Sequence, residues 1–208
     1  MPSPWVWSQS AHRYRNTRTG QFIGQAQMVG LRDAFLDAQR DAAADLAGRL
    51  ASGDIPVGEW QRLMRRDVKD SFIDQYVLAH GGRGTMTQSD WGRIGAMVKE
   101  QYSYLDGFAK AIENGELSEA QIRARASMYH DASVQAYEKG HAVMMGVPTL
   151  PAYPGDGATQ CHGNCRCHWD IRDAEGGWDC YWVIDPGAEH CPDCITNADR
   201  WNPLEVRP

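Results

Sequence analysis

The cysteines carry the strongest chemical signal in the sequence. All six follow residue 160, in the segments Cys161-His-Gly-Asn-Cys165-Arg-Cys167 and Cys191-Pro-Asp-Cys194, with Cys180 between them. Two short loops that each supply two thiolates satisfy the tetrahedral coordination that Zn²⁺ prefers. The spacing therefore predicts one structural zinc ion, bound by Cys161, Cys165, Cys191 and Cys194.

Several alternatives to this ligand set stay open. Cys167 is the leading substitute because Cys-x-Cys can also chelate a metal, and free buried thiols or disulfides would need no metal at all. Cys180 lies in an apolar run and is expected to be packed rather than bound. His190 is either a ligand, a hydrogen-bond donor to a ligand, or a solvent-facing side chain.

The sequence offers little support for catalysis. Four protein ligands leave zinc no open position for water. A Cys–His nucleophile pair around Cys180 is conceivable, but no feature selects it. Asp67, Asp70 and Asp74 share one helical face, which is typical of a solvated surface paired with neighbouring arginines. The protein is therefore predicted not to be an enzyme.

Residues 26–146 are predicted to form a helical domain because apolar residues recur there at three- and four-residue steps. We interpret the pattern as two αα-hairpins, related either by duplication or by chance. Ser118-Glu-Ala-Gln121 is a capping box that opens the fourth helix, which is expected to continue to Met144. The first apolar stripe contains Met28, Leu31, Phe35, Ala42, Leu46 and Leu50.

Residues 147–208 are predicted to form the zinc-binding module. Three prolines and two glycines between residues 146 and 155 cannot continue a helix. The segment is too small to form a stable core without a cross-link such as a bound metal. Residues Trp178–Ile184 are predicted to form a strand. The predicted fold is thus mainly α, with a small zinc-knuckle module containing short β strands. Chelation is expected to unfold this module while the helices survive.

Residues 1–25 are predicted to form an extended basic arm. The segment Tyr14–Phe22 suits a turn or short hairpin around Thr19-Gly20, and the competing interpretation is a disordered arm. Its apolar content is low, so we expect a partner to order it.

Charge is unevenly distributed along the chain. The net charge is −6, yet residues 1–31 carry Arg13, Arg15 and Arg18 and no acidic residue. An acidic remainder argues against a general nucleic-acid coat, with the arginine arm as the exception for a weak DNA contact. No stretch is long and apolar enough to span a membrane, and the first residues lack the features of a secretory signal, so a soluble protein is expected.

The cysteine segments resemble a known module. His162-Gly-Asn-Cys165-Arg-Cys167 is similar to the His-Pro-Asn-Cys-Arg-Cys signature of phage head-morphogenesis proteins, the Mu-F-like minor head family, with Gly163 replacing proline. Glu189-His-Cys-Pro-Asp-Cys194 resembles the second cysteine pair of that module, although in many relatives this pair comes first. More diffuse similarity covers Tyr14–Phe22 and residues 101–129.

The resemblance implies a structural virion protein in the phage head or neck, assembled in the host cytoplasm. Its expected partners are the portal and the major capsid protein, in a ring-associated or oligomeric arrangement. The alternatives are an HNH-like nuclease with zinc knuckles and a cellular zinc-ribbon adaptor. Four tryptophans are predicted either to contact a partner or to pack over the knuckles: Trp169, Trp178, Trp182 and Trp201.

Overall fold

The computed structural model describes residues 3–207. It is mainly α-helical, with two small antiparallel sheets, which confirms the predicted fold class at that level. None of the helices in this described part is long and apolar enough to cross a bilayer. The elements in chain order are β1 (Trp5–Ser8), β2 (Arg13–Asn16), β3 (Phe22–Ile23), α1 (Gln25–Ala51), α2 (Val57–His80), α3 (Gln88–Glu113), α4 (Glu119–Asp131), α5 (Val134–Met144), β4 (His168–Ala174), β5 (Gly177–Val183), α6 (Pro192–Arg200) and β6 (Leu204–Val206).

The helix boundaries follow local chemistry. Ser118 caps α4 and pairs with Gln121 as the capping box predicts. At α3 the cap is Thr87, which exchanges hydrogen bonds with Asp90. Gly81 follows α2 in a left-handed conformation, which ends the helix. Because glycine has no Cβ, β1 can approach closely here: an added Cβ would lie 2.6 Å from the Trp7 nitrogen.

The predicted fourth helix is two helices. Helix α4 ends at Asp131 and α5 begins at Val134. The Ser133 hydroxyl donates to the carbonyl of His130, a local bond that competes with regular helical geometry. The bend lets α4 pack mainly on α1 and α5 mainly on α2, while α3 packs on α2. The helices therefore intercalate, and the simple picture of two αα-hairpins is corrected.

Residues 3–23 fold onto the helices, which corrects the predicted extended arm. Strands β1, β2 and β3 form an antiparallel sheet, so the predicted hairpin at Tyr14–Phe22 is confirmed. Tyr14 is fully buried, and its hydroxyl donates to the carbonyl of Ala79 in the last turn of α2 at 2.7 Å. Tyr14, Trp7 and Ile23 form an apolar face that packs on the helices. The low apolar content of this segment did not indicate such a face.

The C-terminal segment contains a second sheet and a helix. Strands β4, β5 and β6 pair in that order, and β5 confirms the strand predicted near Trp178–Ile184. Helix α6 was missed because its nine residues are too few to show a periodic stripe. A core of aromatic residues and cysteines lies beneath the sheet and includes Ala142 of α5, so this segment packs directly on the helices.

Candidate metal centre

Three cysteines from two separate loops meet in one cluster. The Sγ atoms of Cys161, Cys165 and Cys194 all lie within 4.8 Å of one another. Cys194 Sγ is 3.6 Å from that of Cys161 and 3.7 Å from that of Cys165. Four sulfurs each about 2.3 Å from a central zinc would be separated by about 3.8 Å, the edge of the tetrahedron. The observed separations are compatible with a metal site of this kind.

The first loop turns through a tight 3₁₀ turn at His162–Asn164, between Cys161 and Cys165. His162 takes a left-handed conformation with φ of 48°, which is unusual for a residue with a side chain. Gly163 lies against the end of α4, where an added Cβ would be 3.2 Å from the backbone nitrogen of Ala132. A side chain at position 163 would therefore fit only if the end of α4 shifted by a few tenths of an ångström.

The second loop is the start of α6. Cys191 caps the helix, Pro192 occupies its first position and Cys194 lies in its first turn. Proline suits that position because its missing N–H has no partner there in any case. The Asp193 carboxylate accepts a hydrogen bond from the Gln160 backbone at 2.8 Å, which ties the two cysteine loops together.

Cys167 and Cys191 both lie beside the three clustered thiols. Cys167 is buried and interacts with the thiols of Cys165 and Cys194. Cys191 is partly exposed, and its backbone carbonyl accepts the Cys194 N–H at 3.1 Å. Five thiols thus surround a centre that offers four positions, so the choice of Cys191 over Cys167 stays a prediction. Cys180 is packed on β5, outside the clustered group, as expected.

The electrostatics of the thiols favour a cation between them. Hydrogen bonds from Cys167 and Cys194 lower the pKa of Cys165 to about 3. The same bond to Cys165 raises the pKa of Cys167 to about 12, because a second thiolate so near would be repelled. A divalent cation between the thiols would offset the repulsion between neighbouring thiolates and let four of them ionise. A donor set made only of sulfur suits zinc or another thiophilic metal.

The tryptophans near the cysteines are mostly interior. Trp169, Trp182 and Trp201 are buried and pack on one another, with ring centroids 5.3 to 5.6 Å apart. For these three residues the burial agrees with the second predicted alternative, packing beside the cysteine loops, whereas Trp178 alone of the four stays partly exposed. The small module needs these rings as its core. The buried Trp182 indole N–H has no hydrogen-bond partner among the described residues.

Sequence reasoning missed two charged residues that contact this site, Arg32 and Glu138. Both side chains are completely buried, and Arg32 donates to the backbone of the loop that carries Cys165 and Cys167. The one usable signal was the position of Arg32 between Met28 and Leu36, four residues from each. Those three residues begin the buried face of α1, which continues through Ala43, Leu46 and Ala47. The predicted stripe shares Met28 and Leu46 with this face, but its member Leu31 is exposed.

The polar groups considered for catalysis do not converge near the cysteines. Asp67, on α2, pairs with Arg66. Ser71 bonds His130 at 2.8 Å, but both are buried, so a substrate has no access to the hydroxyl. No protein-family model, curated protein or solved structure matches this chain.

Proposed function

We propose that this protein is a non-enzymatic structural protein whose C-terminal loops are fastened by one zinc ion. The sulfur-only cluster supports the proposal. Cys161, Cys165 and Cys194 would hold the metal, with Cys191 as the fourth ligand and Cys167 as its alternative. Bound there, zinc would supply rigid cross-linking of the two loops, and a closed thiolate shell would leave no position for a reacting water.

We further propose that the protein is a minor head component of a phage particle, associated with the portal or the head interior. The resemblance of Asn164-Cys-Arg-Cys167 and Glu189-His-Cys-Pro-Asp-Cys194 to the head-morphogenesis module supports this assignment. Its partners would be the portal protein, the major capsid protein or both, and it would act through protein–protein contacts in a ring or bound to one.

The outer face of the N-terminal sheet is the proposed site of a weak DNA contact. Arg13 and Arg15 are exposed on β2, with Tyr14 between them on the buried face. Phe22, paired with Arg15 across the sheet, is 40% exposed, and Arg18 lies in the connecting turn. Because β-strand residues two apart point the same way, the two β2 arginines can contact neighbouring phosphates.

Purified particles test the proposed location. Mass spectrometry should detect the protein at a fixed ratio to the major capsid protein, and tagged protein should capture the portal or the capsid protein. Absence from particles and capture of neither partner would remove the phage assignment. Metal-dependent cleavage of DNA by the purified protein would replace it with the nuclease alternative.

Salt-dependent DNA binding tests the arginine face separately. Replacing Arg13, Arg15 and Arg18 with glutamine should reduce the slope of log affinity against log salt by about 0.9 for each phosphate that the variant no longer neutralises. A matched variant, Arg49→Gln with Arg125→Gln, removes exposed charges elsewhere and should leave the slope nearly unchanged. Equal slopes in both variants would show that the sheet has no special role.

A further inference from the structure

A charged pair lies at the junction between the helices and the cysteine loops. Arg32 on α1 donates through Nη1 to Glu138 Oε1 on α5 at 2.9 Å, and neither side chain is exposed to solvent. The same Nη1 donates to the carbonyl of Cys167 at 3.0 Å, and Nη2 donates to the carbonyl of Arg166 at 3.1 Å. The Nε atom donates to Asp33 at 2.9 Å.

Glu138 extends the same contact to β4. Its second oxygen accepts the backbone N–H of Trp169 at 2.9 Å. The pair therefore satisfies two carbonyls and one N–H within four consecutive residues, Arg166–Trp169, that directly follow Cys165. These backbone groups belong to the end of the first cysteine loop and the start of β4, and without the pair they would be buried without partners.

The Arg166 side chain is held from the same helix. Its Nη2 lies 3.2 Å from the carboxylate of Asp37, and its Nη1 lies 3.9 Å from that of Asp33. Side chains of α1 therefore bind both the backbone carbonyls and the Arg166 side chain in the segment that carries Cys165 and Cys167. A fully buried ion pair adds little net stability, because apolar side chains of similar volume stabilise a protein as well or better. Its directional hydrogen bonds can instead fix the orientation of a loop.

We propose that Arg32 and Glu138 are positioning residues for the metal centre, orienting the Cys165–Cys167 loop so that its thiols face Cys194. The inference rests on the proposed metal function. By linkage, metal binding then stabilises the contact between Arg32 of α1 and Glu138 of α5, and that contact raises the metal affinity. Chelation should accordingly loosen the helices as well, in contrast to the expectation that they survive unchanged.

Cobalt titration of the full chain tests this role. Co²⁺ is the probe because its ligand-field absorption reports tetrahedral thiolate coordination, and its affinity can be measured by competition with a chelator. Replacing a group that orients a metal ligand typically weakens binding 10- to 100-fold, so Arg32→Met should weaken Co²⁺ binding by about tenfold or more. Arg32→Lys should recover only part, since an ammonium lacks the planar fork that reaches both carbonyls and Glu138.

Arg123→Met is the control. Arg123 is on α4, pairs with Glu119 and donates to the carbonyl of Ala44 on α1 at 2.9 Å, so it joins two helices without sharing a partner with the cysteine loops. Its replacement should lower the melting temperature while leaving the Co²⁺ affinity within about twofold of wild type, because an interaction away from the site acts on stability alone. Reduced affinity in Arg32→Met but not in Arg123→Met supports the positioning role.

Two outcomes separate this inference from the metal proposal. If wild type gives no tetrahedral Co²⁺ spectrum, the metal proposal itself fails. If wild type binds and a folded Arg32→Met binds equally well, only the positioning role is overturned. Should Arg32→Met not fold, Glu138→Gln decides, because its amide oxygen can still accept the Trp169 N–H while the buried charge is removed. Unchanged affinity in that variant overturns the inference.

Discussion

Cys194 and Cys180 form a matched pair of buried thiols. They are 1% and 0% exposed and belong to the same aromatic core, but only Cys194 joins the clustered sulfurs. Replacing either with alanine removes one sulfur atom from close-packed surroundings, which should cost about 1 kcal/mol of unfolding free energy in each case. Any difference between the two variants therefore measures what the metal contributes.

The metal contribution should dominate that difference. Structural zinc contributes roughly 10–16 kcal/mol in small modules, so one of four equal ligands accounts for about 3–4 kcal/mol. Cys194→Ala should thus lose about 3 kcal/mol more than Cys180→Ala, reduced if Cys167 can take the vacated position. Urea unfolding followed by tryptophan fluorescence is suitable, because three tryptophan rings pack beside the cluster.

The chelator dependence makes the comparison decisive. Wild type and Cys180→Ala should both lose stability when a chelator is added, whereas Cys194→Ala should respond little, because its site is already disrupted. Equal losses in the two variants, together with stability that ignores the chelator, would refute the reasoning from thiol geometry to metal binding.

Three further predictions concern the helical body and its sheet. Tyr14→Phe should cost about 1–3 kcal/mol in urea unfolding because a buried helix carbonyl loses its donor, and an unchanged midpoint would contradict the folded sheet. Gly140→Ala should destabilise by about 1–3 kcal/mol because its Cβ would lie 2.8 Å from the Tyr76 carbonyl oxygen, whereas Gly107→Ala, with open space around it, should stabilise by about 0.5–1 kcal/mol. Burial, aided by the charge of Arg40, lowers the pKa of His130 to about 4, so below pH 6.5 the unfolded chain binds the proton on this side chain more readily than the folded chain does. This histidine alone should account for a loss of about 2 kcal/mol of stability between pH 7 and pH 5, in addition to the losses from His141 and His168, whose pKa values burial also lowers to about 4. His130→Gln should lose about 2 kcal/mol less than wild type over this range, and an identical pH profile would contradict this.

Local chemistry explains which parts of the fold the sequence could predict. The capping box at Ser118 and the glycine at the end of α2 act within a few residues, so both can be recognised in the chain. The bend between α4 and α5 could not be predicted because serine is also common inside helices. Only the structure shows that the Ser133 hydroxyl donates to the carbonyl of His130. The hairpin at Tyr14–Phe22 could be predicted, but its packing on the helices was missed for a different reason: the Tyr14 hydroxyl finds its hydrogen-bond acceptor 65 residues away.

The clustering of three cysteines could be predicted from the sequence, but the residues that support their loops could not. Short cysteine spacings encode two loops, and the structure brings Cys161, Cys165 and Cys194 together as the pattern predicts. The hydrogen bond between Arg32 and the Cys167 carbonyl joins residues 135 apart, and a spacing rule cannot contain it. An arginine on the buried face of α1 was the one usable clue. It was overlooked because the predicted apolar stripe included Leu31 and Phe35 and left out position 32.

Zinc content and metal-edge X-ray absorption of the full chain, purified without added metal, test the central claim most directly. The account predicts one zinc per chain with four sulfur neighbours at about 2.3 Å and no nitrogen or oxygen ligand. A protein that contains no metal and has its clustered cysteines paired as disulfides would contradict the claim.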